Sequence, residues 1–593
     1  MRKLKVFIYI NLALAAVFSF LCVSFHRDIS VLAFPLAILF TAALFYVTVI
    51  LLLRKKEFKH LGMVRRFFQY EPFVLISAFV IQRAGEKGCP YPLDLAAALV
   101  WVAITILSFV ILFFLSEKRF GKVCPEWAAY LEEHPKKVYH GIKRVGIEAA
   151  EWVDALVQAV FTIVLLNIFV FQLYEIPSES MVSTFLIGDR VAVGKTLSGP
   201  KFPLSDVGLP YIQNYERGDI VVFRNPHYSD DRKNEVKTFM SQFVYMLTLT
   251  FVKTNKDENG NQKADPLVKR VVGLPGEQLM LMDGNLYART ANSEFRQIPA
   301  DNGWAVWNLN ALPAATKQKV KYFPISQEAY NDTLQVEEER RNLDLESAKL
   351  ECMSLSNRFA KVAMGAEGVS GEGFISTDDL MVYGLQSLSS RIISRLLTMD
   401  GGADWFNHFM NDWYTGLGDL NRYTEKGSVV GSSLVGGDLY TDSRFRLNLM
   451  FKLTLGRIMV RSGELLSNNA DGLQLSSDSY LDEQFEVLSR LVNYVVRMDQ
   501  RNMGLFPAND SSGNPSYIPE NCYFMMGDNR YNSSDMRHSY EQTLEPLYSG
   551  DKYSVTYYTN LAPQYVNRSK ILGKASLRIW PLSRFGSPGK KNN

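Results

Sequence analysis

The sequence predicts a multi-pass α-helical membrane anchor followed by a mainly β outer domain that carries a large, partly helical insertion. Three observations predict it. Charge-free apolar windows crowd the first third of the chain, and the remainder has ordinary polar composition. Short alternating or β-branched runs then recur beside Gly-Asp and Asp-Gly dipeptides, and a long stretch of helical periodicity interrupts them.

The apolar windows are Val6–Ser24, Ile29–Leu53, Leu95–Leu115 and Ala155–Tyr174. Each approaches the ~20 residues that a helix needs to cross a bilayer. A cleavable leader explains only the first of them. Basic residues cluster after the second window (Arg54, Lys55, Lys56, Lys59, Arg65, Arg66) and after the third (Lys118, Arg119, Lys122, Lys136, Lys137, Lys143, Arg144), which places both loops in the cytoplasm. Two cytoplasmic loops require a further crossing between them. Phe67–Gln82 is the segment available, although it is short and contains Glu71 and Pro72. Five spans are therefore expected, with the N-terminus inside and everything after Tyr174 outside.

In the outer region, Arg190–Val193, Ile220–Phe223, Leu267–Val272 and Leu279–Leu281 read as strands. Leu345, Ala348, Cys352, Leu355, Phe359 and Val362 step by three and four residues, as do Leu481, Phe485, Leu488, Val492 and Val495, so much of 330–500 reads as helix whose stripes serve packing. Gly427–Gly437 reads as a flexible loop. The apolar run Phe239–Phe251 is too short to span, and is either a core strand or a membrane-contacting surface, with core favoured. The expected divisions are 1–174 for the anchor, 175–276 and 527–593 for the two parts of the β-rich domain, and 277–526 for the insertion.

Composition excludes several classes. At 593 residues, with 47% hydrophobic and 21% charged, the chain is neither disordered nor collagen-like. A net charge of +3 gives no electrostatic argument for nucleic acid, which is not expected as a partner. Five cysteines at 22, 89, 124, 352 and 522 form no CxxC, so zinc-ribbon and dithiol chemistry are set aside, while a Cys352–Cys522 bridge stays open. HExxH is absent, and Asn255–Gly260, which opens like a calcium loop, has Pro266 at the twelfth position, so no metal or cofactor is expected.

Two residues draw attention chemically. Ser180 lies six residues beyond Tyr174, within ~20 Å of the predicted helix exit, so chemistry there acts close to the membrane. Lys269 lies between Leu267 and Val271 on one face of a predicted strand, with Arg270 on the other. Burial and a neighbouring guanidinium both lower a lysine pKa, which suits a general base. A snorkelling lysine on an edge strand is the commoner alternative.

The runs IPSESM (176–181), GDRVAV (188–193), RGDIVVF (217–223), VKRVVGLPGE (268–277), GDNRYNSSDMR (527–537) and ILGKA (571–575) stand in the motif order of bacterial type I signal peptidase, which this chain resembles. The resemblance implies a Ser/Lys dyad, with Ser180 as nucleophile and Lys269 as general base, and an oxyanion hole from the Ser180 amide and the Ser178 hydroxyl. It also implies that Ser533 orients the lysine, that Arg270, Asp528, Asp535 and Arg537 brace the site, and that Gly527 leaves room for the amine. It implies exported preproteins with signal peptides as substrates, the lipid bilayer and proximity to the secretion translocon, and a place in the bacterial cytoplasmic membrane. Small pockets would select Ala-like residues before the cut; Met181 and Val193 are the guesses for their lining. The chain departs from the pattern at Glu179, Ser183, Phe185 and Met536, and Glu179 is expected to alter substrate entry or raise the amine pKa. Ser539–Ser569 is a further insertion.

Rival readings remain. His538 lies three residues after Asp535 and suggests a Ser-His-Asp arrangement, though no GxSxG is present. A non-catalytic assembly or chaperone factor that kept the fold is the alternative from another class.

Overall fold

The computed structural model describes residues 2–24, 28–85, 89–134, 141–228, 231–248, 263–364, 379–387, 390–424, 427–468 and 472–588, with isolated positions between 252 and 260. Lys136, Lys137 and most of Asn255–Gly260 lie outside the described residues.

Among the described residues, the helices long and apolar enough to cross a membrane are Arg2–Leu21, Ile29–Arg54, Tyr91–Phe114 and Ile142–Phe169. They turn large apolar side chains such as Phe20, Leu39, Leu99, Phe109 and Leu156 outward, which suits an apolar surrounding. The expected fifth span differs. Phe67–Gln82 belongs to a longer helix, Leu61–Arg83, that falls below the apolarity of the other four. It packs against Ile29–Arg54 and Tyr91–Phe114 and buries Glu71, whose carboxylate accepts hydrogen bonds from Asn11 (2.7 and 2.8 Å) and Ser108 (2.6 Å). A carboxylate with three donor contacts is tolerable only inside the bundle, so this helix is an inner, polar-cored member.

The last apolar helix also ends earlier than expected, at Phe169. Residues Phe171–Glu175 form β1 instead, because alternating Phe171, Gln172, Leu173 and Tyr174 pair with β2, Arg190–Gly194. The other strands are β3 (Ile220–Phe223), β4 (Leu267–Gly273), β5 (Glu277–Met282), β6 (Asn285–Thr290), β7 (Arg296–Gln297), β8 (Met503–Phe506), β9 (Cys522–Met526), β10 (His538–Pro546), β11 (Thr556–Leu561), β12 (Val566–Asn567) and β13 (Ile571–Trp580). Seven form an antiparallel sheet in the order β1-β2-β13-β3-β4-β9-β12. A second sheet runs β7-β6-β5-β8, and β10 pairs with β11. β3 and β9 are buried along their whole length, and β9 flanks β4 from Arg270 onward, so that part of β4 is interior rather than an edge. Val221, Phe223, Val271, Leu279, Phe524 and Met526 share its core.

Between β7 and β8 lie the long helices Gln327–Asn342, Leu345–Val362, Leu439–Ser467 and Ser479–Arg501. Each begins at a side-chain cap, from Ser326, Asp344, Asp438 and Asp478 respectively, which satisfies an otherwise unpaired N–H. The predicted stripes are buried at Leu345, Ala348, Cys352, Leu355, Phe359, Leu481, Leu488, Val492 and Val495. Cys352 and Cys522 are free thiols in separate cores. Gly427–Gly437 is packed rather than loose: Val429, Leu434 and Val435 are buried, and the Gly431 N–H donates to the Gly437 carbonyl.

The Phe239–Phe251 run is not a core strand. Its described part lies in the helix Arg232–Leu247, which buries short polar Thr238 and Ser241 and leaves Met240 exposed. Polar Arg232–Lys237 upstream extends the segment to helical length, and 249–251 lie outside the described residues.

Candidate active site

Ser180 sits in a tight loop between β1 and β2. Ile176 anchors both ends of the loop, donating to the Asp189 carbonyl and accepting from Gly188 at 2.9 Å each. Gly188 has φ +83° there, a left-handed turn that favours glycine. The Asp189 carboxylate, paired with Arg584, caps the Leu186 amide at 2.9 Å. Phe185 fills the core under the loop with no exposure, which accounts for the large apolar side chain at this position.

Lys269 is brought to Ser180 by register. Val221 stands opposite Lys269 and Ile220 opposite Arg270, while Met526 of β9 pairs with Arg270. Lys269 is 3% exposed, and its Nζ donates to Ser180 Oγ at 2.7 Å. Burial lowers its pKa to about 8, and Arg537 adds to the effect, whereas Asp535 and Asp528 act against it. The guanidinium that acts on the amine is that of Arg537, not that of the adjacent Arg270. Glu179 is not among these charges. Its carboxylate turns away and accepts from the backbone N–H groups of Lys321 (2.6 Å) and Tyr322 (3.2 Å).

The Ser178 hydroxyl donates to Ser180 Oγ at 3.3 Å, and no acceptor among the described residues engages the Ser180 amide. Both donors are thus beside the Ser180 hydroxyl. Gly527 lies directly against it: a Cβ there would fall 2.6 Å from the Ser180 carbonyl oxygen and 2.1 Å from Ser533 Oγ. Ser533 is brought to the site, but its hydroxyl is buried without a hydrogen-bond partner among the described residues, and it makes no bond to Lys269.

Two buried ion pairs frame Ser180 and Lys269. Arg270 meets Asp528 through two hydrogen bonds, and Thr184 donates to the same carboxylate at 2.6 Å. Asp535 binds Arg537 twice, at 2.8 and 2.9 Å, and accepts from the Gly527 amide at 2.8 Å. Arg537 holds the Asp535 carboxyl well below the usual carboxylate range.

Several positioning residues escaped the sequence reading. Asn529 donates through its backbone to the Ser180 carbonyl and through its side chain to the Glu179 carbonyl, at 3.1 Å each. Arg530 and Asp301 form a buried pair. Asn529 and Arg530 stood inside a quoted motif, but Asp301 had no local signal because its partner is far along the chain.

Other expectations are not met. Met181 and Val193 are 1% and 0% exposed within one core cluster, so they back the site and do not line an open pocket. His538 is buried and shares no hydrogen bond with Ser180; burial and Arg537 push its pKa down to about 4. A cavity of about 520 Å³ lies between the end of Ile142–Phe169 and Arg232–Leu247 and is lined by neither Ser180 nor Lys269.

The family model "Signal peptidase, peptidase S26" matches residues 149–338 and 458–580, just over half of the chain. The chain belongs to the signal peptidase family, peptidase S26. The signal peptidase match spans β1 to β7 and β8 to β13, and skips 339–457 within the helical region. The chain is 30% identical over 165 residues to Signal peptidase I of Haemophilus influenzae, covering 28% of this chain and 42% of that one. It is 29% identical over 143 residues to Signal peptidase I of Buchnera aphidicola (24% and 34%). Signal peptidase I of Pseudomonas aeruginosa is 29% identical over 164 residues (26% and 55%). The chain thus spans between about a third and just over half of the length of these relatives.

Proposed function

We propose that the protein is a membrane-bound serine endopeptidase that removes N-terminal signal peptides from exported preproteins with a Ser180/Lys269 dyad. The observation that carries this reading is the 2.7 Å hydrogen bond from a buried lysine, its pKa lowered to about 8, to a serine hydroxyl. A lysine paired only with a carboxylate would stay charged; this one faces a hydroxyl and has an accessible neutral form.

The neutral amine takes the proton from Ser180 Oγ as the oxygen attacks the scissile carbonyl carbon. The Ser180 amide and the Ser178 hydroxyl, rotated from its present bond to Ser180 Oγ, donate to the developing oxyanion. The Lys269 ammonium then returns the proton to the departing amine, leaving an acyl-enzyme. Lys269, neutral again, takes a proton from water as the water oxygen attacks the ester carbonyl, and returns it to Ser180 Oγ as the acyl–oxygen bond breaks. The Arg270–Asp528 and Asp535–Arg537 pairs hold the strand and the turn on which this alignment depends.

Substrate geometry supports the same reading. β9 pairs with β4 from Arg270 onward, so the edge of β4 from Leu267 to Lys269 is open on that side among the described residues. An extended peptide can add to such an edge through main-chain hydrogen bonds. β1 leaves the end of an apolar helix at Phe169, which sets Ser180 close to the outer bilayer surface when four apolar helices and the inner Leu61–Arg83 helix form a multi-pass anchor. The β-rich domain then begins with β1 at Phe171 and resumes with β9 at Cys522, rather than at 175 and 527. A signal peptide whose apolar segment stays in the bilayer presents its small-residue cleavage site at this level.

The test is cleavage of a preprotein in detergent by wild type, Ser180→Ala and Lys269→Ala, with the new N-terminus of the product sequenced. Cleavage by wild type alone, after an Ala-x-Ala-like site, is expected. A folded wild type that cuts none of several preproteins favours a non-catalytic assembly factor.

A further inference from the structure

Residues 305–325 form a belt over the nucleophile loop. The belt starts where Val306 pairs with the turn after β9, donating to the Asp528 carbonyl at 2.7 Å and accepting from the Arg530 amide at 3.1 Å. Just before it, Trp304 covers the Arg270 guanidinium and the backbone of Gly218. Leu309 and Val320 then bury themselves against Val182 and Leu186, which follow Ser180 in its loop. The belt closes at Glu179, the residue between the two serines, whose carboxylate holds the Lys321 and Tyr322 amides. Glu179 is 6% exposed, so this acid is spent on the belt and does not face solvent.

Strand direction says which part of a bound peptide meets the belt. Each neighbouring pair from β1 through β2, β13 and β3 to β4 is antiparallel, so β1 and β4 point the same way. Both lead from the end where the apolar helix stops at Phe169 toward the 176–189 loop that the belt covers. A chain leaving the bilayer passes Leu267, reaches Lys269 and Ser180, and next meets residues 305–325. Between Asp301 and Glu328 the sequence has no acidic residue and three lysines, Lys317, Lys319 and Lys321. Lys319 and Lys321 are exposed and form no ion pair among the described residues.

Resting on the peptidase reading above, we propose that this belt, latched through Glu179, receives the first residues after the cut and favours acidic ones over basic ones. Glu179 acts here as a positioning residue: it fixes the belt relative to Ser178 and Ser180 and touches no reacting atom. Two exposed cations beside an extended chain supply a preference of about three- to tenfold.

The test uses the full-length protein in detergent and three preproteins that differ only at the second and third positions after the cut, carrying Asp-Asp, Asn-Asn or Lys-Lys. Wild type is expected to give the highest kcat/KM with Asp-Asp and the lowest with Lys-Lys, and salt near ~1 M should compress the range. The double variant Lys319→Glu/Lys321→Glu, on exposed positions that do not threaten folding, should invert the order. Glu179→Ala should flatten it, and Glu179→Gln, which keeps one carbonyl acceptor, should restore part of it. Equal cleavage of the three by wild type, or an order unchanged by the charge reversal, overturns the proposal. Failure of wild type to cleave any of them overturns the peptidase reading instead.

Discussion

The Arg270 guanidinium and the Asp528 carboxylate meet through two hydrogen bonds, Nε to Oδ1 at 2.7 Å and Nη2 to Oδ2 at 2.6 Å, with 2% and 0% of their side chains exposed. Arg270 follows Lys269, and Asp528 follows Gly527, which abuts Ser180. One ion pair therefore locks the strand of Lys269 to the turn that carries Gly527 and Asn529. Removing one partner strands the other charge in the core: Asp528→Ala is expected to destabilise by about 3–5 kcal/mol. Arg270→Met combined with Asp528→Leu should lose much less than the two single changes added together, because neither charge remains. Thermal unfolding of the four proteins in one detergent checks this. Additive losses would show that the pair does not act as a unit.

The pH profile separates the lysine from the histidine. Only the neutral Lys269 amine accepts a proton, and its pKa is lowered to about 8. The value of kcat/KM should thus rise about tenfold per pH unit below that point and level off above it. His538, pushed down to about 4, would instead give a plateau from mildly acidic pH upward. Lys269→Arg should be inactive throughout, since a guanidinium stays charged. His538→Ala should keep a limb near 8. A limb near 4 in wild type would exclude Lys269 as the base.

Gly527 tests how much room the site has. A methyl group there meets the Ser180 carbonyl oxygen at 2.6 Å, and that atom is backbone held by Asn529. The nucleophile loop must shift for Gly527→Ala to be accommodated. A displacement near 1 Å in a positioned nucleophile lowers turnover by about 10²-fold. Steady-state kinetics should show the loss mainly in kcat, with the product N-terminus unchanged. Near-wild-type kcat would mean that the loop yields freely.

These outcomes bear on what the sequence could convey. Ser180, Lys269, Gly527 and Asp528 were legible because they sit in short motifs, and the strands around Lys269 because β-branched residues alternate there. The helical stripes at Leu345–Val362 and Leu481–Val495 were legible from periodicity. The belt was not. Its contacts join Glu179 to Lys321 and Arg530 to Val306, and ring closures over such distances leave no periodic trace. The Phe239–Phe251 run misled because apolar content alone does not separate strand from helix. Phe171–Glu175 misled because apolar residues at the end of a span look alike whether the chain remains helical or pairs with β2.

Ser533 supplies the remaining test, because its hydroxyl is buried with no hydrogen-bond partner among the described residues. An unpaired buried hydroxyl lowers stability by about 1–3 kcal/mol relative to a paired one, and such groups persist where function uses them. A Cβ on Gly527 would fall 2.1 Å from the Ser533 Oγ, so Ser533 lies beside the backbone that touches Ser180. If Ser533 engages the Lys269 ammonium only once the proton has moved, replacing it removes a bond made in the transition state while relieving a penalty in the ground state. Ser533→Ala should then leave the melting temperature unchanged or higher and lower kcat by about tenfold or more. Ser533→Thr, which keeps the hydroxyl, should recover part of the rate. Loss of stability in parallel with activity would mean that Ser533 serves packing alone.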